Sequence, residues 1–238
     1  LNQNKPILKL DWCSYKAAEY AVKHWHYSRS MPVGKLAKIG VWEDDKFIGS
    51  VVFGMGAAKD LGNPIGLKMF GYCELVRVAL TTHRTTVTKI ISIAIKMLKQ
   101  QSPKLLAIIS FADPEEKHLG IIYQAGNWIF CGCSKTSQVY ELNGKKYHNR
   151  VVNPGALQFG RKAKASIDKK KALKRTTLPK YRYVYVLSES IRDQIEKLRK
   201  PYPKSLCAGS VVARNLSKIE AGDESLTPAL HFQEAVNV

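Results

Sequence analysis

Between Ser14 and His26 the apolar positions Ala18, Ala21, Val22 and Trp25 recur at helical spacing, and Ser14 is placed to cap the first turn. The pattern predicts a helix with Trp25 facing inward and with His24 and His26 about 100° to either side of it. Pro32 and Gly34 mark that the helix has ended. Residues 38–42 and 47–53 then flank the polar turn Glu43-Asp44-Asp45-Lys46, a hairpin signature. Gly54-Met55-Gly56 and the Gly/Pro-rich residues 61–66 read as loop.

GYCELVRVAL, residues 71–80, alternates as a strand, with Cys73, Leu75, Arg77 and Ala79 on one face and Val76, Val78 and Leu80 on the other. After a polar connection, Val87, Ile90, Ile91, Ala94, Met97 and Leu98 repeat at helical spacing, while Lys89, Ser92, Lys96 and Lys99 take the wet face. Residues 104–111, KLLAIISF, form a nearly unbroken apolar run, as a strand covered on both sides requires. Strand, helix and strand in this order predict a parallel crossover. Ala112-Asp113-Pro114 closes it, followed by a short predicted helix over 118–125, a strand over 128–133, a hairpin turning at Asn143-Gly144 and a last strand over 182–187. The periodicity places one α/β domain over residues 1–187. Residues 188–238 read as a basic, loosely ordered extension.

Charge changes the picture most. The 238 residues carry a net +19, and between Arg161 and Lys204 fifteen Lys or Arg stand against four Asp or Glu. Such a surface gains free energy by releasing counterions from a phosphate backbone, so the partner it predicts is nucleic acid. Arg29, Lys162, Lys164, Lys169, Lys170, Lys171, Lys174 and Arg175 are the candidate phosphate contacts. No stretch approaches the roughly 20 apolar residues of a bilayer span. No charged-then-apolar signal pattern opens the chain, and five scattered cysteines do not form a disulfide framework, which together favour a reducing cytoplasm. Cys131-Gly-Cys133 has the wrong spacing for a zinc site.

Candidate chemistry gathers at two places. Ligands of open α/β sheets lie beyond the carboxyl ends of parallel strands, where Asp113 stands with Tyr123 ten residues on. Asp113 reads as a turn or as a functional carboxylate, and Tyr123 as a packed aromatic or a site residue. Arg77, among apolar neighbours, needs an acidic or phosphate partner, either an internal carboxylate or a substrate or cofactor. Thr81 to Thr88 opens a helix where phosphate is favoured, although a plain N-cap accounts for its hydroxyls equally well. The second place is KHWHYSRSMP, residues 23–32, in which His26-Tyr27 lies at a helix exit beside Ser28 and Arg29. Imidazole, phenol and carboxylate suit iron better than soft thiolates would.

KHWHYSRSMP, FIGSVVFG, YCELVRVAL, IISIAIKMLK, SFADP and IYQAGNWI, in this order across roughly residues 11–187, resemble the Mom proteins of Mu-like bacteriophages. The resemblance implies a Gcn5-related N-acetyltransferase-like fold, a mixed central sheet flanked by helices. It implies a transferase that converts adenine of double-stranded DNA to N6-carbamoylmethyl adenine in the host cytoplasm and so protects phage DNA from restriction. It further implies that His26, Tyr27, Asp113 and Tyr123 surround a metal, iron, and that Tyr27, Arg77, Asp113 and Tyr123 are catalytic. Val78, Leu80, Thr85, Thr86, Val87 and Ser92 would then line the cofactor side, with acetyl-coenzyme A or another small molecule as donor. One departure stands out: the glycine-rich pyrophosphate loop of ordinary members is here His83-Arg84-Thr85-Thr86-Val87, which weighs against standard acetyl-coenzyme A binding. A buried exocyclic amine calls for a flipped adenine, with Trp25, Tyr27 or Trp128 as stacking partners. The reading leaves room for a homodimer. Two alternatives stay open: an ordinary acyltransferase acting on a protein or RNA amine, and a non-catalytic DNA-binding protein.

Overall fold

A computed structural model describes residues 5–56, 60–148, 157–158, 161–162 and 171–204. Strand β1 (Leu8–Trp12) leads into helix α1 (Tyr15–Trp25), whose first turn is capped by Ser14 Oγ accepting the Ala17 N–H at 3.2 Å. Ala18, Ala21 and Val22 are fully buried, as the helical spacing predicts. His26 turns to extended backbone and Arg29 adopts a positive φ of 46°, so the helix stops where its apolar repeat stops. Strands β2 (Leu36–Glu43) and β3 (Lys46–Gly54) form the predicted hairpin, and its two central residues, Asp44 and Asp45, both take positive φ. That is the turn whose twist matches paired strands.

Strand β4 (Tyr72–Leu80), helix α2 (Val87–Gln101) and strand β5 (Ala107–Ala112) make the parallel crossover. Its pairing is short. Tyr72, Cys73 and Glu74 pair with Ala107, Ile108 and Ile109, and the register then ends, although both strands continue. On its other side β4 carries a bulge: Val52 pairs with Arg77 and Phe53 with Leu75, leaving Val76 as the extra residue. The bulge breaks the strict two-face alternation expected for residues 71–80.

Beyond β5 come a 3-10 turn (Pro114–Glu116), helix α3 (Ile121–Gln124) and strand β6 (Ile129–Cys133). The helix expected over 118–125 is therefore only four residues long, because Lys117 and Gly120 take left-handed backbone. Strand β12 (Tyr181–Val186) inserts between β5 and β6, antiparallel to both, which completes a seven-stranded sheet in the order β1-β2-β3-β4-β5-β12-β6. Strands β7 (Gln138–Leu142), β8 (Lys145–His148) and β11 (Leu173–Thr176) form a separate three-stranded sheet, and β9 (Leu157–Gln158) pairs with β10 (Arg161–Lys162). Asn143 and Gly144 turn the β7–β8 hairpin with positive φ at both.

The main core cluster joins Tyr72, Ala107, Ile109, Ile129 and Val184 to Ile191 and Ile195. The last two belong to a 3-10 turn (Glu189–Ile191) and helix α4 (Arg192–Glu196), so packed structure runs past Leu187. Cys13, Cys73 and Cys131 are free thiols. Because Ile195 is fully buried, Ile195→Ala is expected to lower stability by about 2–4 kcal/mol. Urea unfolding followed by circular dichroism measures it, and a loss near zero would separate α4 from the core.

Candidate active site

Where β4 and β5 part, a cavity of about 530 Å³ opens. Five consecutive β4 residues, Glu74 to Val78, line one wall, and Phe111 and Ala112 of β5 the other. The exit of α1 contributes Trp25, His26 and Tyr27, and the segment from Lys117 to Tyr123 closes the remaining side together with Lys180. Distant parts of the chain meet here because a sheet that loses pairing leaves a gap that its flanking loops must cover.

One side chain bridges the gap. Ser110 Oγ, fully buried, lies 2.9 Å from the Leu75 carbonyl and 2.8 Å from the Tyr123 hydroxyl. A serine has one proton to give. The Leu75 carbonyl has no β5 amide opposite it, so Ser110 donates there and Tyr123 donates to Ser110. The phenolic oxygen of Tyr123 then offers only lone pairs to the cavity. Tyr123 packs on Trp128 and Tyr183 at 5.1 Å each, and burial pushes its hydroxyl up to about 12.

His26 holds the opposite wall. Its Nδ1 accepts the Ser28 N–H at 3.1 Å and lies 2.9 Å from Ser28 Oγ. The neutral ring must therefore carry its proton on Nε2. Burial first, then the neighbouring Arg77 and His118, lower its pKa to about 4. Tyr27, 48% exposed, stacks at 4.3 Å on His26 and meets His118 edge-on at 5.3 Å, which makes the cavity mouth aromatic. Partial burial is the main cause that raises its phenol. His24, by contrast, bonds the Tyr20 carbonyl at 2.8 Å and stacks on Tyr20.

Arg77 donates from Nε to the Ser30 carbonyl at 3.2 Å and from Nη1 to the Val76 carbonyl at 2.7 Å. Among the described residues no salt bridge to Arg77 is formed, and the Glu74 carboxylate, on the same strand and lining the same cavity, acts on it through space. Two carbonyls fix the guanidinium and leave its charge for the cavity. Asp113 stands one residue behind the wall, where it caps Glu115 N–H at 3.1 Å and pairs with Lys180 Nζ at 2.7 Å.

His26, Tyr27 and Tyr123 thus line one cavity, with Asp113 reached through Lys180. As ligands for iron these four do not fit as arranged. The carboxylate is neutralised by an ammonium, the buried phenol is held protonated, and the imidazole keeps its proton on the nitrogen it would need to offer. Among the described residues no group of three or more His, Cys, Asp or Glu side chains could hold a metal ion.

Of the residues assigned to the cofactor side, Val78 lines the cavity. Thr85 is buried and bonded to Glu43, Ser92 donates to the Lys89 carbonyl on an exposed helix face, and Thr86 is the N-cap ahead of Val87, while Leu80 ends β4. Trp128 is 1% exposed and so closed to a stacking base. Among the phosphate candidates, Arg29, Lys171 and Lys174 are exposed, but Arg175 forms a two-pronged bond to Glu115 at 2.9 and 2.8 Å. It fastens β11 to the turn after β5 instead. Lys162 belongs to β10, and Lys164, Lys169 and Lys170 lie outside the described residues. Sequence reasoning missed Ser110, Lys180 and His118; a serine inside the apolar run KLLAIISF was the only signal for the first.

A mixed sheet whose central parallel strands part over a loop-covered cavity defines a mixed α/β protein with its site at the parting of the sheet. The chain belongs to the Mom protein family, whose sequence profile matches residues 7–204. It is 29% identical over 204 residues to the methylcarbamoylase Mom of Escherichia phage Mu, covering 83% of this chain and 84% of that protein. Solved structures similar to it include a Bacillus subtilis acetyltransferase in complex with CoA (11% identity, TM-score 0.42, 77% of this chain and 100% of that one). Another is FeeM, an N-acyl amino acid synthase from uncultured soil microbes (11%, 0.45, 81% and 96%).

The His26 assignment has a pH signature. A folded-state value near 4 against an ordinary 6.5 means that the unfolded chain binds more protons between those limits. Stability contributed by neutral His26 is complete above pH 6.5 and is lost as pH falls toward 4. NMR titration should find the His26 ring midpoint near 4; a midpoint near 6.5 would contradict its enclosure.

Proposed function

We propose that this protein transfers a carbamoylmethyl group from a small donor to N6 of adenine in DNA, in the cavity between β4 and β5. The observation that carries the reading is Arg77, a cation held by two carbonyls, facing a neutral imidazole and a phenol across a cavity large enough for a nucleobase. Family membership supplies the class of reaction, and the net charge of +19 supports a polyanionic substrate.

In the transfer the N6–C bond forms as the donor's bond from its methylene carbon to the leaving group breaks, with the electron pair going to the leaving group and the N6 proton to a base. Tyr123, whose lone pairs face the cavity, accepts a hydrogen bond from N6–H and orients the amine. Arg77 and His26 Nε2–H are donors, suited to the oxygen or leaving atom on which negative charge develops. Tyr27 offers a half-exposed ring at the mouth on which an extruded adenine stacks. Phosphates flanking the flipped base meet exposed cations such as Arg29 and Lys174, which hold the backbone without reading sequence. No helix among the described residues is long and apolar enough to cross a membrane, consistent with action on phage DNA in the host cytoplasm.

Nucleoside mass analysis of DNA from cells expressing the protein should show carbamoylmethylated adenine, and unmodified adenine beside folded protein would refute the reading. Arg77→Ala should cut modification by about 100-fold. Arg77→Lys should not restore it, because an ammonium lacks the planar fork that two carbonyls hold. Retention of the variants on DNA separates this loss from a loss of DNA binding.

A further inference from the structure

The loop from Thr81 to Thr86 joins β4 to α2, a helix of 15 residues. In a strand–helix–strand crossover this is where free backbone N–H groups and the helix dipole gather phosphate. Here the two loop N–H groups just ahead of the N-cap Thr86, those of Arg84 and Thr85, are already occupied. Arg84 N–H donates to Glu43 Oε2 at 2.8 Å, and Thr85 donates to Oε1 twice, from N–H at 2.8 Å and from Oγ1 at 2.7 Å. Glu43, the last residue of β2, is only 7% exposed.

The carboxylate is fixed from both sides. Arg84 Nε lies 3.9 Å from Glu43 Oε2, and the same guanidinium pairs with Asp44 in the adjoining turn. Asp44 Oδ1 in turn accepts the Ile7 N–H at 2.9 Å, so the turn is tied to the start of β1. Burial alone would favour the protonated acid, but the bonds from Thr85 and Arg84 outweigh it and hold the pKa of Glu43 below its ordinary value. A buried negative charge therefore sits permanently ahead of α2. A phosphate arriving there would find two amides spent and a like charge beside it.

We propose that Glu43 is an internal anion filling the phosphate seat of the crossover loop, so that the donor bears no diphosphate and enters as a small molecule recognised at the Arg77 side of the cavity. The role of that cavity rests on the transfer proposed above; the occupation of the loop does not. Three further features fit a donor without a diphosphate handle. The loop has no glycine, Thr85 is buried, and Ser92 faces away on the exposed side of α2.

The test compares ligands that differ in the diphosphate. Calorimetric titration of the full chain with coenzyme A and with pantetheine, in about 0.3 M salt to suppress non-specific attraction to the basic surface, should give affinities within about threefold of each other or no binding of either. A coenzyme A advantage of about tenfold or more overturns the proposal. Glu43→Gln keeps an acceptor for the loop amides but removes the charge, and Glu43→Ala removes both. At least one folded variant should gain about tenfold in coenzyme A or pyrophosphate binding, and folded variants that gain nothing show that Glu43 is not what closes the seat. Should neither variant fold, the wild-type comparison decides alone. Because the readout is binding, failure of adenine modification and failure of this proposal are told apart.

Discussion

The loss of hydrogen bonding between β4 and β5 after the Glu74–Ile109 pair is the constraint on which the rest of the site depends. Two parallel strands that stop pairing leave amides and carbonyls facing a gap, and such groups must be satisfied or solvated. Val76, the bulged residue, turns β4 away where its pairing with β3 slips by one residue. Ser110 satisfies the Leu75 carbonyl from across the gap and, with the same hydroxyl, orients Tyr123. A single buried oxygen thus couples the backbone defect to a side chain of the cavity. The defect is the site's origin, and the wedge shape of the cavity is its direct consequence.

Around that gap, charge is sorted into spent and available cations. Lys180 is matched to Asp113 and Arg175 to Glu115, and both acids belong to the turn that follows β5. Those pairs fasten β12 and β11 against the open end of the sheet, where carboxylates standing alone would oppose an anionic substrate. Among the described residues the hydrogen-bond partners of Arg77 are the Ser30 and Val76 carbonyls, neither of which neutralises its charge. Each pair joins a half-exposed cation to a largely buried carboxylate, and its value here is positional. In a chain of net +19, Asp113, Glu115 and Glu43 are acids committed to partners within the fold.

Much of the fold could be read in the chain because its periodicities are long and clean. The α1 stripe, the β2–β3 hairpin and the crossover all appear where the apolar positions put them. Three features were hidden for different reasons. Strand β1 is an edge strand of five residues with little buried surface, so the alternation in LKLDW is too short a run to stand out. Strand β12 reads as a strand, but nothing local states that it enters between β5 and β6. The helix after Asp113 was overdrawn because Lys117 adopts left-handed backbone, which a lysine does not announce. For the site, His26, Tyr27 and Tyr123 were singled out and line one cavity, whereas Ser110 looked like a flaw in an apolar run and Glu43 like a turn residue. Long-range hydrogen bonds of one side chain leave no periodic trace.

Arg77 lines the cavity, while Glu43 occupies the loop ahead of α2. At the end of β4 nearest α2 the chain supplies its own anion, while toward the α1 exit it supplies a cation held by two carbonyls. A substrate with one negative or carbonyl-bearing end is drawn toward Arg77 and away from the loop, which orients it along β4 without any contact to a nucleotide handle. The opposite arrangement, a cradle of free amides at α2, would seat a diphosphate there and commit the cavity to the arm attached to it. Exchanging one seat for the other keeps the sheet, the crossover and the gap unchanged. What alters is the class of molecule that can enter.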